Sequence, residues 1–236
     1  MKDKVASELK KRVAIIAKYS FYSDDAVQVL NSLNIELVSA TEVSEIQKLI
    51  ESGVKFDYIF FPHYSKLIPS NFLELQNCIG FHTGDLPKDR GGSPIQNKIL
   101  RGEYSTWVSA FKIVEEIDAG DILCKESISL ENGSIKEILK DTSKIISRLI
   151  LNIVTNNPIP IPQLGTYSIH SRVNHQESEL NIEDLDVRQI YDRIRMVDGL
   201  DYPPAYIKFG RYRILLSEAK LRENTLTFVS RLEEEQ

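Results

Sequence analysis

Apolar positions recur along this chain with two different spacings. Short runs rich in apolar residues stand at residues 13–17 (VAIIA), 35–38 (IELV), 58–61 (YIFF), 78–82 (CIGFH) and 107–114 (WVSAFKIV). Runs this short, without polar alternation, read as strands buried on both faces of a parallel sheet. Between them the period lengthens. Residues 24–33 place Ala26, Val27, Leu30 and Leu33 at helical spacing, and residues 42–52 put Val43, Ile46, Leu49 and Ile50 on one face, with Gly53 as a stop. Residues 93–101 and the long stretch 135–154 are predicted helices too. Strands alternating with helices predict βαβ units and an α/β, Rossmann-like fold with a mostly parallel sheet. Ligands of such sheets bind beyond the carboxyl ends of the strands. One predicted strand ends at His82, and another leads into the loop holding Asp118.

Residues 156–163 (NNPIPIPQ) carry three prolines, which lack the N–H a regular element needs. They predict a catalytic domain over residues 1–160 and a small C-terminal subdomain over 161–236. The second part carries a predicted helix near 187–197. Runs at 205–209 and 212–216 are joined at Gly210-Arg211 as a β-hairpin. Residues 233–236 read as a frayed end.

Composition narrows the class. Hydrophobic residues at 42% and charged residues at 27% are ordinary for a soluble globular chain. A net charge of -5 argues against a nucleic-acid binder, so no nucleic-acid partner is expected. Cys78 and Cys124 form no CxxC pair, which predicts buried thiols and no metal site. Residues 1–12 are charged and lack the apolar stretch of a signal peptide, and no apolar run nears the ~20 residues of a membrane span. The expectation is a cytoplasmic protein with no membrane partner. The hairpin edge and apolar helices suit a homodimer.

The densest chemistry lies in residues 82–97, HTGDLPKDRGGSPIQN. Glycines there let the backbone approach a ligand. His82 is the group that titrates near neutral pH. A second cluster, residues 115–121 (EEIDAGD), follows the strand ending near Val114. Its carboxylate can orient a histidine and favour the charged form, or Asp118 can simply cap a turn.

These two segments resemble the signature of the folate-dependent formyltransferases, a family that includes glycinamide ribonucleotide, methionyl-tRNA and sugar-nucleotide formyltransferases. The matching residues are His82, Leu86, Pro87, Arg90, Gly91, Pro94, Ile95, Ile99, Gly102, Glu103, Asp118 and Gly120. The resemblance implies a formyltransferase fold and N10-formyl-tetrahydrofolate as cosubstrate, with His82 and Asp118 catalytic. It implies a folate pocket of Tyr64, Leu67 and Ile68 on one wall and Val114, Glu115, Glu116 and Ile117 on the other. Asp85, Arg90, Gly91, Asn97, Asn174, Arg193 and Tyr202 are the residues expected to meet the acceptor; Asp85 and Arg90 also suit a brace within the loop. Arg195, two positions from Arg193, is expected to be a solvated surface charge.

One position departs from the family pattern. The asparagine two residues before the histidine is Gly80 here, so one oxyanion donor is missing. Asn97, a backbone N–H of Gly91-Gly92, or a water are the candidates to replace it. The Asp-Leu-Pro and Arg-Gly-Gly-Ser-Pro steps resemble the subgroup that includes the formyltransferase of pseudaminic acid biosynthesis and the formylation domain of linear gramicidin synthetase. That subgroup implies an amino sugar as acceptor. The alternatives are a methionyl-tRNA or another amine, or a folate-binding protein without catalysis.

Overall fold

The computed structural model describes residues 11–31, 33–173 and 178–234. In chain order the first elements are β1 (Lys11–Ile16), α1 (Phe21–Leu30), β2 (Ile35–Ala40), α2 (Val43–Glu51), β3 (Tyr58–Pro62) and α3 (Ser70–Leu75). Next come β4 (Cys78–His82), β5 (Asp89–Gly91), α4 (Pro94–Leu100), β6 (Ser105–Lys112), β7 (Ile122–Ser129) and α5 (Ile135–Asn156). The chain finishes with β8 (Ser168–His170), a 3-10 turn (Ile182–Asp184), α6 (Val187–Arg195), β9 (Ala205–Phe209), β10 (Tyr212–Arg222) and β11 (Thr225–Glu234).

The main sheet has the order β2-β1-β3-β4-β6-β7. Strand β1 runs parallel to β2 and β3, and β3 runs parallel to β4. The expected α/β fold with a parallel sheet is therefore present. Strand order reverses between β1 and β3, which makes their carboxyl ends a topological switch point.

The chain forms two compact units, each assembled from three stretches. The first comprises Met1–Phe81, Ala110–Lys125 and Ser143–Pro162. Its strands are buried on both faces: Val13, Ala14, Ile15 and Ile16 are all fully buried. One face gathers Ala14, Ile16, Ile59, Phe61 and Cys78 with Val43 and Ile46 of α2 and Phe72 of α3. Helix α2 starts at a capping box, with the Glu45 carboxylate accepting from the main-chain N–H of Glu42 at 2.8 Å, and Gly53 follows its end at φ +95°. Helix α1 begins three residues before the expected start, because Phe21 and Tyr22 extend its apolar face and Tyr22 is buried.

The second unit comprises His82–Ser109, Glu126–Thr142 and Gln163–Gln236. The expected hairpin is present, but as part of a three-stranded antiparallel sheet, β11-β10-β9. Glu233 and Glu234 belong to β11 rather than to a frayed end, paired with Arg213 and Tyr212; residues 235–236 lie outside the described residues. A buried ionic knot anchors α6. Arg195 is 1% exposed and donates to Asp192 at 2.6 Å and to the carbonyls of Leu130 and Gly133 at 2.6 and 3.0 Å. The expectation of a solvated Arg195 is thus corrected. Each of its three nitrogens donates, to Asp192 on the same helix and to two main-chain carbonyls more than 60 residues earlier in the chain, which is what lets a guanidinium be buried. Asp192 also accepts from Tyr104 at 2.6 Å and from Arg188 at 3.0 Å.

Candidate active site

His82 is the last residue of β4 and is 6% exposed. Its Nε2 lies 2.6 Å from the main-chain carbonyl of Asp89. A carbonyl only accepts, so this nitrogen carries a proton. The turn that follows is shaped around the ring: a Cβ on Gly84 would lie 2.4 Å from His82 Nε2 and 2.6 Å from the Asp89 oxygen. The turn is held in turn by β6, with Thr106 donating to the Thr83 carbonyl at 3.1 Å.

The motif beyond the turn is not a loop as expected. Asp89–Gly91 forms the short strand β5, pairing in parallel with β8, with Gly91 opposite His170. Gly91 has φ +97°, and a Cβ there would meet the His170 oxygen at 2.5 Å. Only glycine tolerates both conditions. Arg90 is buried, donates to Gln163 at 3.0 Å and lies 4.3 Å from the centre of the Tyr167 ring. Asp85 forms an ion pair with Lys88 at 3.5 Å and accepts the Asp89 main-chain N–H at 3.1 Å. The Asn97 amide donates to the carbonyls of Gly92 at 3.0 Å and Ser171 at 3.2 Å. The Gly92 N–H is bonded to the His170 carbonyl at 2.9 Å. Asn97 and the Gly92 N–H therefore brace the motif and do not replace the missing oxyanion donor.

Gly80 has a packing reason. A Cβ there would meet the Phe111 ring at 2.8 Å and Ile113 at 3.1 Å. The volume of the family's asparagine side chain is filled by these two apolar groups.

Asp118 lies between β6 and β7 in the first unit, with φ +51°. That is the left-handed region, which aspartate enters more readily than most residues, as in a turn. The loop closes at Gly120, where a Cβ would lie 1.7 Å from the Lys112 carbonyl oxygen. Lys112 donates its main-chain N–H to Asp121 at 2.9 Å. Val114, Glu115, Glu116 and Ile117 are exposed. Of the residues expected on the other wall, Tyr64 sits edge-on to Phe61 at 5.2 Å and Ile68 belongs to the core, whereas Leu67 is 94% exposed.

The rest scatter over the second unit. Arg193 is half-buried on α6, Tyr202 is half-buried in the turn after it, and Asn174 lies outside the described residues, as does His175. Sequence reasoning missed Asp89 and His170. The Asp89 carboxylate binds Lys98 at 2.9 Å, His170 Nε2 at 3.1 Å and Arg101 at 3.3 Å. Burial raises this carboxyl's pKa, but Lys98, His170 and Arg101 outweigh that and hold it below the ordinary value. Lys98 and Arg101 share Glu103, each at 2.6 Å. Among the described residues no cluster suits a metal ion, and no helix is long and apolar enough to cross a membrane.

The Formyl transferase family model matches residues 3–149, and the model of the C-terminal domain of methionyl-tRNA formyltransferase matches residues 175–229. A methionyl-tRNA formyltransferase of Mesoplasma florum is 28% identical over 201 residues, 82% of this chain and 63% of that protein. The chain thus spans less than two thirds of that curated relative. A solved methionyl-tRNA formyltransferase from Clostridium thermocellum is 35% identical, with a TM-score of 0.86 over 95% of this chain and 99% of its own. HypX from Aquifex aeolicus, solved in complex with tetrahydrofolic acid, is 18% identical with a TM-score of 0.72 over 89% of this chain and 37% of its own. These relatives overturn the expectation of an amino-sugar acceptor and no nucleic-acid partner: the Mesoplasma florum and Clostridium thermocellum relatives are both named for methionyl-tRNA. Net charge does not exclude such a partner, because it averages over the whole surface while a polyanion would meet one face.

Proposed function

Because the chain belongs to the formyl transferase family, we propose that it transfers a formyl group from N10-formyl-tetrahydrofolate to the amino group of a methionyl-tRNA. The observation that carries the reading is His82, buried at the carboxyl end of β4 with its ring seated on the motif strand. The acceptor rests on the 35% identical solved relative, whose chain is covered almost entirely.

The first unit suits the folate. The exposed residues 114–117 leave a segment that a pterin can reach, and Tyr64 and Ile113 pack on one core cluster. When bound, this group supplies the activated formyl carbon. The acceptor amine loses a proton as it bonds that carbon, and negative charge collects on the formyl oxygen; the bond from the formyl carbon to the folate N10 then breaks, N10 gains a proton, and tetrahydrofolate leaves. His82 carries the proton and stabilises the charge. Asp118 favours the charged imidazole, the role the family motif gives that position.

A basic face on the terminal sheet suits RNA. Residues 205–222 contain Lys208, Arg211, Arg213, Lys220 and Arg222 against a single acid, Glu218. Lys208 and Arg213 are direct cross-strand partners, with Glu179 paired to Lys208 at 3.1 Å and Glu233 opposite Arg213 on the other side. Phosphates would compete with these carboxylates for the same cations.

The test incubates the protein with N10-formyl-tetrahydrofolate and methionyl-tRNA, then follows formyl-methionine by mass. Transfer to methionyl-tRNA, absent with free methionine, supports the reading. Folate binding without transfer to methionyl-tRNA overturns the acceptor. Arg213→Gln together with Lys208→Gln is expected to lower the salt slope of tRNA binding by about two.

A further inference from the structure

We propose that Asp89 is a positioning residue that fixes His82 in its Nε2–H tautomer, through a main-chain carbonyl that its own carboxylate network locks in place. The inference deepens the formyl-transfer reading and rests on it for the meaning of His82, but its geometry lies entirely within the second unit.

Three observations converge on residue 89. Its carbonyl receives His82 Nε2 at 2.6 Å. Its carboxylate is tied to Lys98 on α4, to Arg101 just beyond that helix and to His170 on β8. Its main chain is paired to Ser168, and its N–H is bonded to the Asp85 carbonyl. A residue held by its side chain, by a ladder and by a turn has little freedom to tilt its carbonyl. That carbonyl accepts only from a protonated nitrogen. Neutral His82 held this way carries its proton on Nε2. The bare Gly84 is what allows the ring this close to the turn. An anchored partner that selects a tautomer is the same device by which a buried carboxylate orients an imidazole in a hydrolase.

The test reads the tautomer directly, without substrates. Long-range 1H–15N spectra of 15N-histidine protein, with His82 assigned by its loss in His82→Gln, are expected to show a single Nε2–H form. Asp89→Ala should give mixed tautomers and a kcat lower by roughly 10–100-fold, with KM little changed. Asp89→Asn keeps only one acceptor oxygen and sets an amide NH2 against Lys98 or against Arg101 and His170, so it should loosen the tautomer as Asp89→Ala does. Lys98→Met and His170→Gln each remove one tether, and serve if Asp89→Ala fails to fold. An Nδ1–H form in the unmodified protein overturns the proposal. So does an unchanged tautomer in every variant that loses activity. If methionyl-tRNA is not formylated but the single tautomer and its loss in Asp89→Ala are found, the acceptor reading fails and this one stands.

Discussion

Residues 82–92 and residues 114–118 hold the two clusters to which we assign the proposed chemistry, yet the chain treats them in opposite ways. The first stretch is mostly buried or half-buried and is tied down at several points: His82 to Asp89, Arg90 to Gln163, Gly91 and Gly92 to His170. The second stretch exposes Val114 through Ile117 and spends its constraint at one point, Gly120, where the main chains touch too closely for any side chain. Groups that move protons need fixed geometry, whereas a segment that receives a ligand along its backbone needs to be reachable.

The comparison breaks most visibly in activity. His82→Gln keeps a donor toward Asp89 but cannot relay a proton, so kcat/KM for formyl transfer should fall by about 10³-fold. Circular dichroism is expected to stay unchanged. A loss below tenfold would remove His82 from the chemistry. Gly120→Ala comes next. Its Cβ would collide with the Lys112 oxygen, and the expected cost is about 3 kcal/mol or more in urea denaturation. If the variant is as stable as the parent, the loop is not clamped there.

Charge sharpens the contrast further. Asp89 and Glu103 both have carboxyl pKa values held low, Asp89 against its burial and Glu103 chiefly by Arg101 and then Lys98. Groups of depressed pKa contribute stability above the ordinary carboxylate range and lose it as pH falls through their folded values. Lys98→Met should cost about 1–3 kcal/mol at pH 7 and flatten the acid limb between roughly pH 5 and 2, read by denaturation across that range. In the open loop, Ile117→Ala should leave stability within about 0.5 kcal/mol and raise the folate KM less than tenfold. The smallest effect is a silent one. Burial pushes the Cys78 thiol, at the start of the strand that ends in His82, up to about 12. Maleimide should reach it only on unfolding.

The parallel sheet was legible because β1 and β3 are buried on both faces and so read as unbroken apolar runs. Strands β7 (ILCKESIS) and β11 (TLTFVSRLEE) went unread because their polar residues interrupt any clean alternation. Three-residue strands such as β5 and β8 carry no period at all. His82 and Asp118 were visible through the family motif. Asp89 was not, because its partners Lys98, Arg101 and His170 come from separate parts of the chain, and no local spacing encodes them. Arg195 was misread for the same reason: charge on a helix suggests solvent until the carbonyls that bury it are known.

The pairing of β5 with β8 also sets a schedule. Asp89 and His170 are 81 residues apart, so at ordinary synthesis rates of 5–20 residues per second the ribosome needs roughly 4–16 s to deliver the second after the first. During that interval the histidine strand exists without the segment that locks its neighbour. The nascent chain can build its first parallel strands while its catalytic geometry is still unfinished, and a product stopped before Ser168 would lack that lock.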